Sequence, residues 1–452
     1  MPKNKLCDLD VLEMLISEAK RNGASDVDVI LLRNSGNSLS CRNGKDEFIE
    51  RFESFGIGLR VFVGTKSASL STNFTAEKKL KDFTSKAVEM AKIVPEDKFS
   101  KIASKELLSK NQVNQSVDID CYDKTEVNIS DLRENAVSVE EYALNISKKL
   151  ISDGSQTSSG KSESILMTSN GFIGRKIKSN HSISLSLIAK EKETMERDYD
   201  FSSKVYLNDL ESPKLLAEKA ALRTLKKLGS IKPKTGKFPV IFDSRVARSI
   251  VSHISSSLNG SSISRGTSFL KDSMNKKVFS KCINLVDDPT LVRGLGSRLF
   301  DSEGIGTKKI KLIEKGILKN WLLDISSSEQ LGKETNGNAV RGIGGPPTPG
   351  TSNLILLPGQ VHPNELINGI DEGFLVNELI GSSVSLITGD YSRGASGFWI
   401  ENGTISYPVA EATIAGNLKE MFLNLSAAND LDTSHSMMAP SLRVEKMMVA
   451  GN

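Results

Sequence analysis

The chain of 452 residues is poor in the side chains that most enzymes recruit for chemistry: it carries four cysteines and four histidines. His181, His253, His362 and His435 lie far apart, so no two occupy adjacent turns of one helix as a zincin motif requires, and no metal site is encoded locally. Cys7, Cys41, Cys121 and Cys282 form no CxxC pair, which argues against a zinc knuckle or a disulfide framework and suits a reducing compartment. There is no GxSxG elbow, and serines are so abundant that an imagined Ser-His-Asp set carries no weight. The run GIGGPPTPG, Gly342–Gly350, lacks the Gly-Lys-Ser/Thr ending of a P-loop and its prolines remove amide donors, so it reads as a rigid surface loop.

Charge of one sign is also missing. With 59 basic against 55 acidic residues the formal net charge is only +4, and no basic stripe marks a nucleic-acid or membrane surface. No apolar run reaches the length of a membrane span, and the opening MPKNKLCDLDVLEMLISEAK is interrupted by Lys3, Lys5, Asp8, Asp10 and Glu13, so it has no signal-peptide core. A cytoplasmic protein is expected, with neither nucleic acid nor membrane as partner.

What is present is the composition of a globular protein, 38% hydrophobic and 25% charged, long enough for two or three domains. Leu12, Leu15, Ile16 and Ala19 predict a first helix over about Asp10 to Arg21, after which Val27, Val29 and Leu31 alternate as a strand. Asn43-Gly44 marks a turn, the glycine-bounded run Gly56 to Gly64 predicts a strand, and a helix follows from Thr75 to Ile93, ended by Pro95. This first unit covers residues 1–97, and residues 98–128 form a polar linker or excursion. The second unit, 129–231, opens with a helix over Asp131–Leu150 and continues with strands around an Asn170-Gly171 turn. It closes on a helix that starts at Ser212-Pro213 and stops at Gly229. Past the Lys232–Gly236 boundary, residues 236–452 turn to short strands and glycines, with one helix over Ser244–Leu258. Hairpins are expected at Lys315-Gly316 and Asn402-Gly403, which argue for an antiparallel barrel or sandwich.

Gly389–Gly397 crowds Asp390, Tyr391, Ser392, Arg393 and Ser396 between glycines. Such a segment suits a loop that lines a site, and equally an ordinary glycine-rich connection. With Arg265–Ser268 and Asp301–Gly304 it offers donors and acceptors without a redox, metal or nucleophilic centre. That inventory fits binding of an extended peptide better than it fits chemistry, and it is also what turns that bind nothing would look like.

The strings RGTSFLKDSMNKKVF (Arg265–Phe279), FDSEGIGT (Phe300–Thr307), KGILKNWLLD (Lys315–Asp324), TGDYSRGASGFWIENGTISYPV (Thr388–Val409) and ATIAGNLKEM (Ala412–Met421) resemble the TldD/PmbA family. Within it they resemble the PmbA branch, also called TldE, and GIGLRVFVGTKSASLST (Gly56–Thr72) extends the resemblance to the N-terminal half. The resemblance implies an α+β fold with an N-terminal α/β portion, helices on a mixed sheet, and a C-terminal, mainly antiparallel, barrel-like β domain. In the TldD branch the family carries a zinc-binding HExxxH helix and a C-terminal cysteine. On that pattern Val251 and Ser256 stand at the two histidine positions and Ser252 at the glutamate, and Asn429–Asn452 contains no cysteine. None of these can serve as imidazole ligand or proton shuttle.

The resemblance therefore implies a metal-free, non-catalytic subunit that works with a zinc-bearing TldD-like partner on unfolded peptides, in peptide maturation or antitoxin turnover. The alternative is a self-dimer that binds peptides or regulates, in keeping with an older label of DNA-gyrase modulator. Arg265, Asp390, Tyr391 and Arg393 are the expected peptide contacts.

Overall fold

The computed structural model describes residues 7–110 and 119–451. The charged first six residues, Asn452 and residues 111–118 of the expected linker lie outside the described residues.

Helix α1 (Asp8–Arg21) buries Leu12, Leu15 and Ala19 and gives way at Asn22-Gly23, where Gly23 takes φ 101°. Strands β1 (Asp26–Arg42), β2 (Lys45–Val63) and β3 (Lys66–Thr72) follow, then helix α2 (Glu77–Ile93). After helix α3 (Ile129–Leu144) come β4 (Leu150–Thr168), β5 (Ile173–Glu191), β6 (Thr194–Lys204) and helix α4 (Pro213–Lys226), which Ser212 caps. The six strands make one sheet in the order β3-β2-β1-β4-β5-β6, to which each half contributes three.

The α+β class and the barrel hold, with one correction: every pair in this sheet is antiparallel, where a mixed sheet was expected. Tight turns such as Asn43-Gly44, with φ 53° and 72°, return the chain directly within each set of three strands, and the long connection from β3 through α2 and α3 brings β4 in antiparallel beside β1. A second correction concerns the helix expected to reach Leu150. It ends at Leu144 with Asn145 as cap, because the side chain of Leu150 is needed in the apolar layer under α3 and α4 as the first residue of β4.

Period-2 alternation decides the two faces of the sheet. Val27, Val29 and Leu31 meet Leu59, Val61 and α1, α2 in one cluster; Ile183, Leu185, Leu187 and Ala189 meet α3 and α4 in another. The opposite face presents Ile30, Leu166 and Phe172 to Phe300 and Ile343 of the C-terminal half.

That half runs β7 (Gly236–Phe242), α5 (Ser244–Ser257), α6 (Gly260–Ser264), β8 (Leu285–Asp287), β9 (Ile310–Glu314), β10 (Ile317–Leu318) and α7 (Ile325–Gln330). It continues through β11 (Ala339–Val340), β12 (Thr348–Pro349), β13 (Leu354–Leu356), α8 (Pro363–Ile367), β14 (Glu372–Val384), β15 (Asp390–Glu401) and β16 (Thr404–Asn417). Helix α9 (Leu418–Leu423), β17 (Leu425–Ala427), β18 (Met437–Met438) and β19 (Leu442–Ala450) end it. Strands β16-β15-β14-β7-β19 lie side by side, and β19 pairs back onto β16 through Thr413 and Ala450, which closes a five-stranded barrel. Only the β14–β7 pair in it is parallel. The apolar side of α5, Ala247, Ile250, Val251 and Ile254, joins Phe374, Trp399 and Ile414 in its core.

One glycine-rich stretch differs from the expectation of a loop. Gly389–Gly397 is almost wholly strand β15, and only Gly389 of its glycines has a positive φ, 91°. A Cβ on Gly397 would stand 1.9 Å from the Leu375 carbonyl oxygen, so glycine serves close strand approach beside the bulges here instead of flexibility. Gly342–Gly350, expected as a rigid surface loop, is loop up to β12 with Gly342, Gly344 and Pro346 exposed, and it is pinned by Ile343. Ile343 lies against β2 so closely that a Cβ on Gly58 would come within 2.4 Å of its carbonyl oxygen. Gly58→Ala is therefore expected to destabilise the protein by about 1–3 kcal/mol in urea denaturation, through overpacking against backbone. Gly342→Ala, whose Cβ would meet nothing within 4 Å, is expected to stay within about 0.5 kcal/mol of the parent.

Candidate functional site

Helix α5 carries its polar residues on one side: Arg245, Arg248, Ser249 and Ser252 recur at helical spacing opposite the buried Ala247, Ile250, Val251 and Ile254. That polar side forms one wall of a cavity of about 460 Å³, with Tyr199 of β6, Asn377, Glu378 and Leu379 of β14, Arg393 of β15 and Met437 of β18 around it. The cavity thus lies where the N-terminal sheet meets the barrel. A larger hollow of about 650 Å³ on the N-terminal sheet is lined chiefly by serines, including Ser158, Ser159 and Ser162, and lacks such a concentration of ionisable groups.

Buried ion pairs hold the wall. Arg245, 7% exposed, donates to both oxygens of Asp198 at 2.8 and 3.3 Å, to the Tyr199 carbonyl at 2.8 Å and to the Asn377 carbonyl at 3.0 Å. Its guanidinium also stacks over the Tyr199 ring at 4.9 Å. Lys227, just past α4, reaches Asp198 at 3.0 Å and Glu378 at 2.6 Å, and Ser396 donates to the same Glu378 oxygen at 3.0 Å. Burial alone would raise the Asp198 carboxyl, but the hydrogen bonds and charge of Arg245 and Lys227 outweigh it and hold it below the usual range.

Further round, Arg248 donates to Nε2 of His435, which must therefore be the neutral acceptor. Burial, then the charge of Arg248, push the imidazole down to about 4 against a weaker pull from Asp432. His253 stands edge-on to Tyr391 with ring centres 5.8 Å apart, and burial followed by the charge of Arg393 lowers its affinity for a proton. The Tyr391 hydroxyl is pushed up by burial, with Arg393 opposing.

The residues expected from sequence separate here. Arg393 and Ser252 line the cavity, and Tyr391 lies beneath it against His253. Val251 is fully buried in the barrel core, and Ser256 spends its hydroxyl on the Ser252 carbonyl at 3.0 Å. Asp390 is exposed and held by Thr388 and Asn417, and Arg265 is exposed at the end of α6; neither borders the cavity. Sequence reasoning did not single out Arg245, Arg248, Ser249, Asn377 or Glu378. The polar stripe of α5 was the available signal for the first three, whereas Asn377 and Glu378 are recruited only by the fold.

A cationic cavity clasped between an antiparallel α/β sandwich and a closed β barrel defines the class of this protein. The comparisons supply its kin. The models of the PmbA/TldA metallopeptidase domain 1, central domain and C-terminal domain match residues 27–91, 122–228 and 235–451, and the chain belongs to this family. It is 33% identical over 446 residues to the metalloprotease PmbA of Escherichia coli O157:H7, covering 98% of this chain and 96% of that one. A solved structure from Bacteroides thetaiotaomicron, named as a candidate modulator of DNA gyrase, superposes with a TM-score of 0.90 at 29% identity over 98% of this chain and 99% of that one. TldE from Thermococcus kodakarensis shares the fold, with a TM-score of 0.85 at 21% identity over 98% of this chain and all of that one.

The family name implies a metal, and the donor set does not fit one. Among the described residues no three His, Cys, Asp or Glu side chains gather as they would around an ion, and the helix positions at issue present an aliphatic side chain and two hydroxyls. Nor does any described helix have the length and apolarity to cross a membrane.

The buried charges set two outcomes. Asp198→Asn leaves the buried Arg245 without an ion-pair partner and Lys227 with Glu378 alone, and is expected to cost about 3–5 kcal/mol in urea denaturation. The unfolded chain accepts a proton on His435 near 6.5, whereas the folded protein refuses it until about 4. Folding stability is therefore expected to fall as the pH drops from about 6.5 toward 4, and His435→Gln to flatten that dependence in denaturation midpoints measured across the window.

Proposed function

We propose that this chain is the non-catalytic, metal-free subunit of a TldD/TldE-type metallopeptidase acting on unfolded peptides in the cytoplasm. The single observation that carries the reading is the chemistry of α5: Val251 packed into the barrel core, with Ser252 and Ser256 beside it, at the positions where the catalytic branch is expected to hold zinc ligands and base. A valine has no lone pair, and a serine hydroxyl neither rivals imidazole for zinc nor shuttles protons near neutral pH. The naming of relatives as metalloprotease PmbA supports a peptidase setting, and a relative named metalloprotease TldD homolog, from Buchnera aphidicola and 28% identical over 289 residues, is the kind of partner the reading needs.

In such a complex this subunit supplies cavity walls and substrate contacts while the partner supplies the hydrolytic centre. Arg393 and Tyr391 are its proposed peptide-contacting or supporting residues; Arg265 and Asp390, outside the cavity, serve only if substrate spreads across the outer surface. The free thiols Cys7, Cys41, Cys121 and Cys282 suit a reducing compartment.

The test is reconstitution with a TldD-like protein from the same cell. The pair is expected to co-elute as a heterodimer and to cleave an unfolded peptide, the isolated chain to hold no stoichiometric zinc and to cleave nothing. Zinc-dependent cleavage by the isolated chain overturns the reading. So does a stable self-dimer that ignores the TldD-like protein, which would favour a peptide-binding or regulatory role instead.

A further inference from the structure

The cavity beside α5 concentrates buried polar atoms that find no partner among the described residues. Ser249 Oγ, His253 Nε2, Asn377 Oδ1 and Arg393 Nε all border it in this condition, and the Tyr391 hydroxyl directly below is a fifth. Burying a polar atom without a partner is costly, so several around one hollow point to a polar occupant.

The charges around the hollow say which sign that occupant carries. Arg245 is matched by Asp198, and Glu378 is matched by Lys227 and Ser396, so these groups neutralise each other. Arg248 and Arg393 have no ion pair among the described residues. Arg248 is oriented by the neutral His435, which supplies a lone pair and no compensating charge. Asp432, the acid that acts on His435, lines a neighbouring hollow with Asp200 and Glu211 and does not border this one. Two guanidinium groups therefore lack a counter-charge, beside the Ser249 and Tyr391 hydroxyls as further donors and Asn377 Oδ1 as an acceptor, in a space walled elsewhere by Leu379 and Met437. Guanidinium forks suit planar carboxylates, and the apolar wall suits the carbon skeleton that bears one.

We propose that this cavity is a carboxylate-binding site, gripped by Arg248 and Arg393, that anchors a peptide through its C-terminus or an acidic side chain. The preference for an anion stands on the cavity alone; the choice of a peptide as its bearer rests on the peptide-handling reading above.

The test uses the full chain and calorimetric titration with short unstructured peptides. One pair is an N-acetylated tetra-alanine as free acid and as C-terminal amide; a second pair is the amide bearing an internal Asp or Asn. At least one carboxylate form is expected to bind about tenfold more tightly than its neutral counterpart, and which pair shows the difference identifies the source. Arg393→Gln and Arg248→Gln are each expected to weaken that form about tenfold, with Arg21→Gln on the distant α1 leaving it unchanged. Thermal unfolding run beside each titration separates lost binding from lost structure, and Ser249→Val replaces any variant that fails to fold. Equal binding of charged and neutral forms, unchanged binding by both arginine variants, or binding of inorganic phosphate without either peptide carboxylate overturns the proposal. The zinc and co-elution measurements with a TldD-like protein are independent of these titrations, so failure of the subunit reading and failure of the anion site are told apart.

Discussion

Two buried carboxylates of the N-terminal sheet, Asp28 on β1 and Asp198 on β6, each grip one cation from their own half and one from the other, and this fixes how the halves meet. Asp28 holds Arg60 of the neighbouring strand at 2.5 Å and also Arg341, which directly follows β11 in the C-terminal half. Asp198 holds Lys227 at 3.0 Å and Arg245 of α5 at 2.8 Å. A buried pair of this kind adds little net stability over an apolar substitute, because desolvation consumes the Coulombic gain. Its effect is geometric: any other docking leaves a charge without partner in a dry interface. Apolar contacts then fill the space so defined, with Ile343 lodged over Gly56 and Gly58 and Phe300 against Phe172 at 5.1 Å.

The site inherits its shape from that junction. Arg245 is both an anchor of the interface and the first residue of the polar stripe on α5, so the bond that joins the halves also sets the rotation of the helix. Once α5 is turned with Ala247, Ile250 and Val251 into the barrel, Ser249, Ser252 and His253 can only face the hollow between β14 and β15. Arg248 completes the wall through His435, carried on the chain before β18.

Local chemistry was the part of this structure that could be read from sequence. Asn43-Gly44, Lys315-Gly316 and Asn402-Gly403 each adopt positive φ at both residues, as hairpin turns of the expected type require. Helix stops at Gly23 and caps at Ser212 obey equally local rules. Such rules lose their hold where glycine answers to a neighbour instead of to its own segment: Gly397 is small because Leu375 lies beside it, and Gly58 because Ile343 does. The same limit governed the site. Arg393 was singled out for its charge and does line the cavity, but Asp390, three residues earlier on the same strand, points its carboxylate to Thr388 and Asn417 at the surface. Arg245 was missed because what makes it important, Asp198, is a residue 47 positions away in sequence.

The electrostatics of the cavity, beside the missing ligands, set it apart from zinc chemistry. A zinc centre gathers thiolates, carboxylates or neutral imidazoles, and the cation's charge is balanced by its surroundings. Here the groups left unbalanced are guanidiniums, and the one imidazole on the wall, His253, already feels Arg393 as a neighbouring cation. A unit charge a few ångströms from a divalent ion repels it by several kcal/mol at the effective dielectric of a partly buried site. A histidine placed at position 251 would therefore not make a metal site: the ring would enter a barrel core where Val251 is fully buried, facing away from a hollow whose charge has the wrong sign. The same helix scaffold that could present ligands to a cation is, in this chain, built to attract an anion.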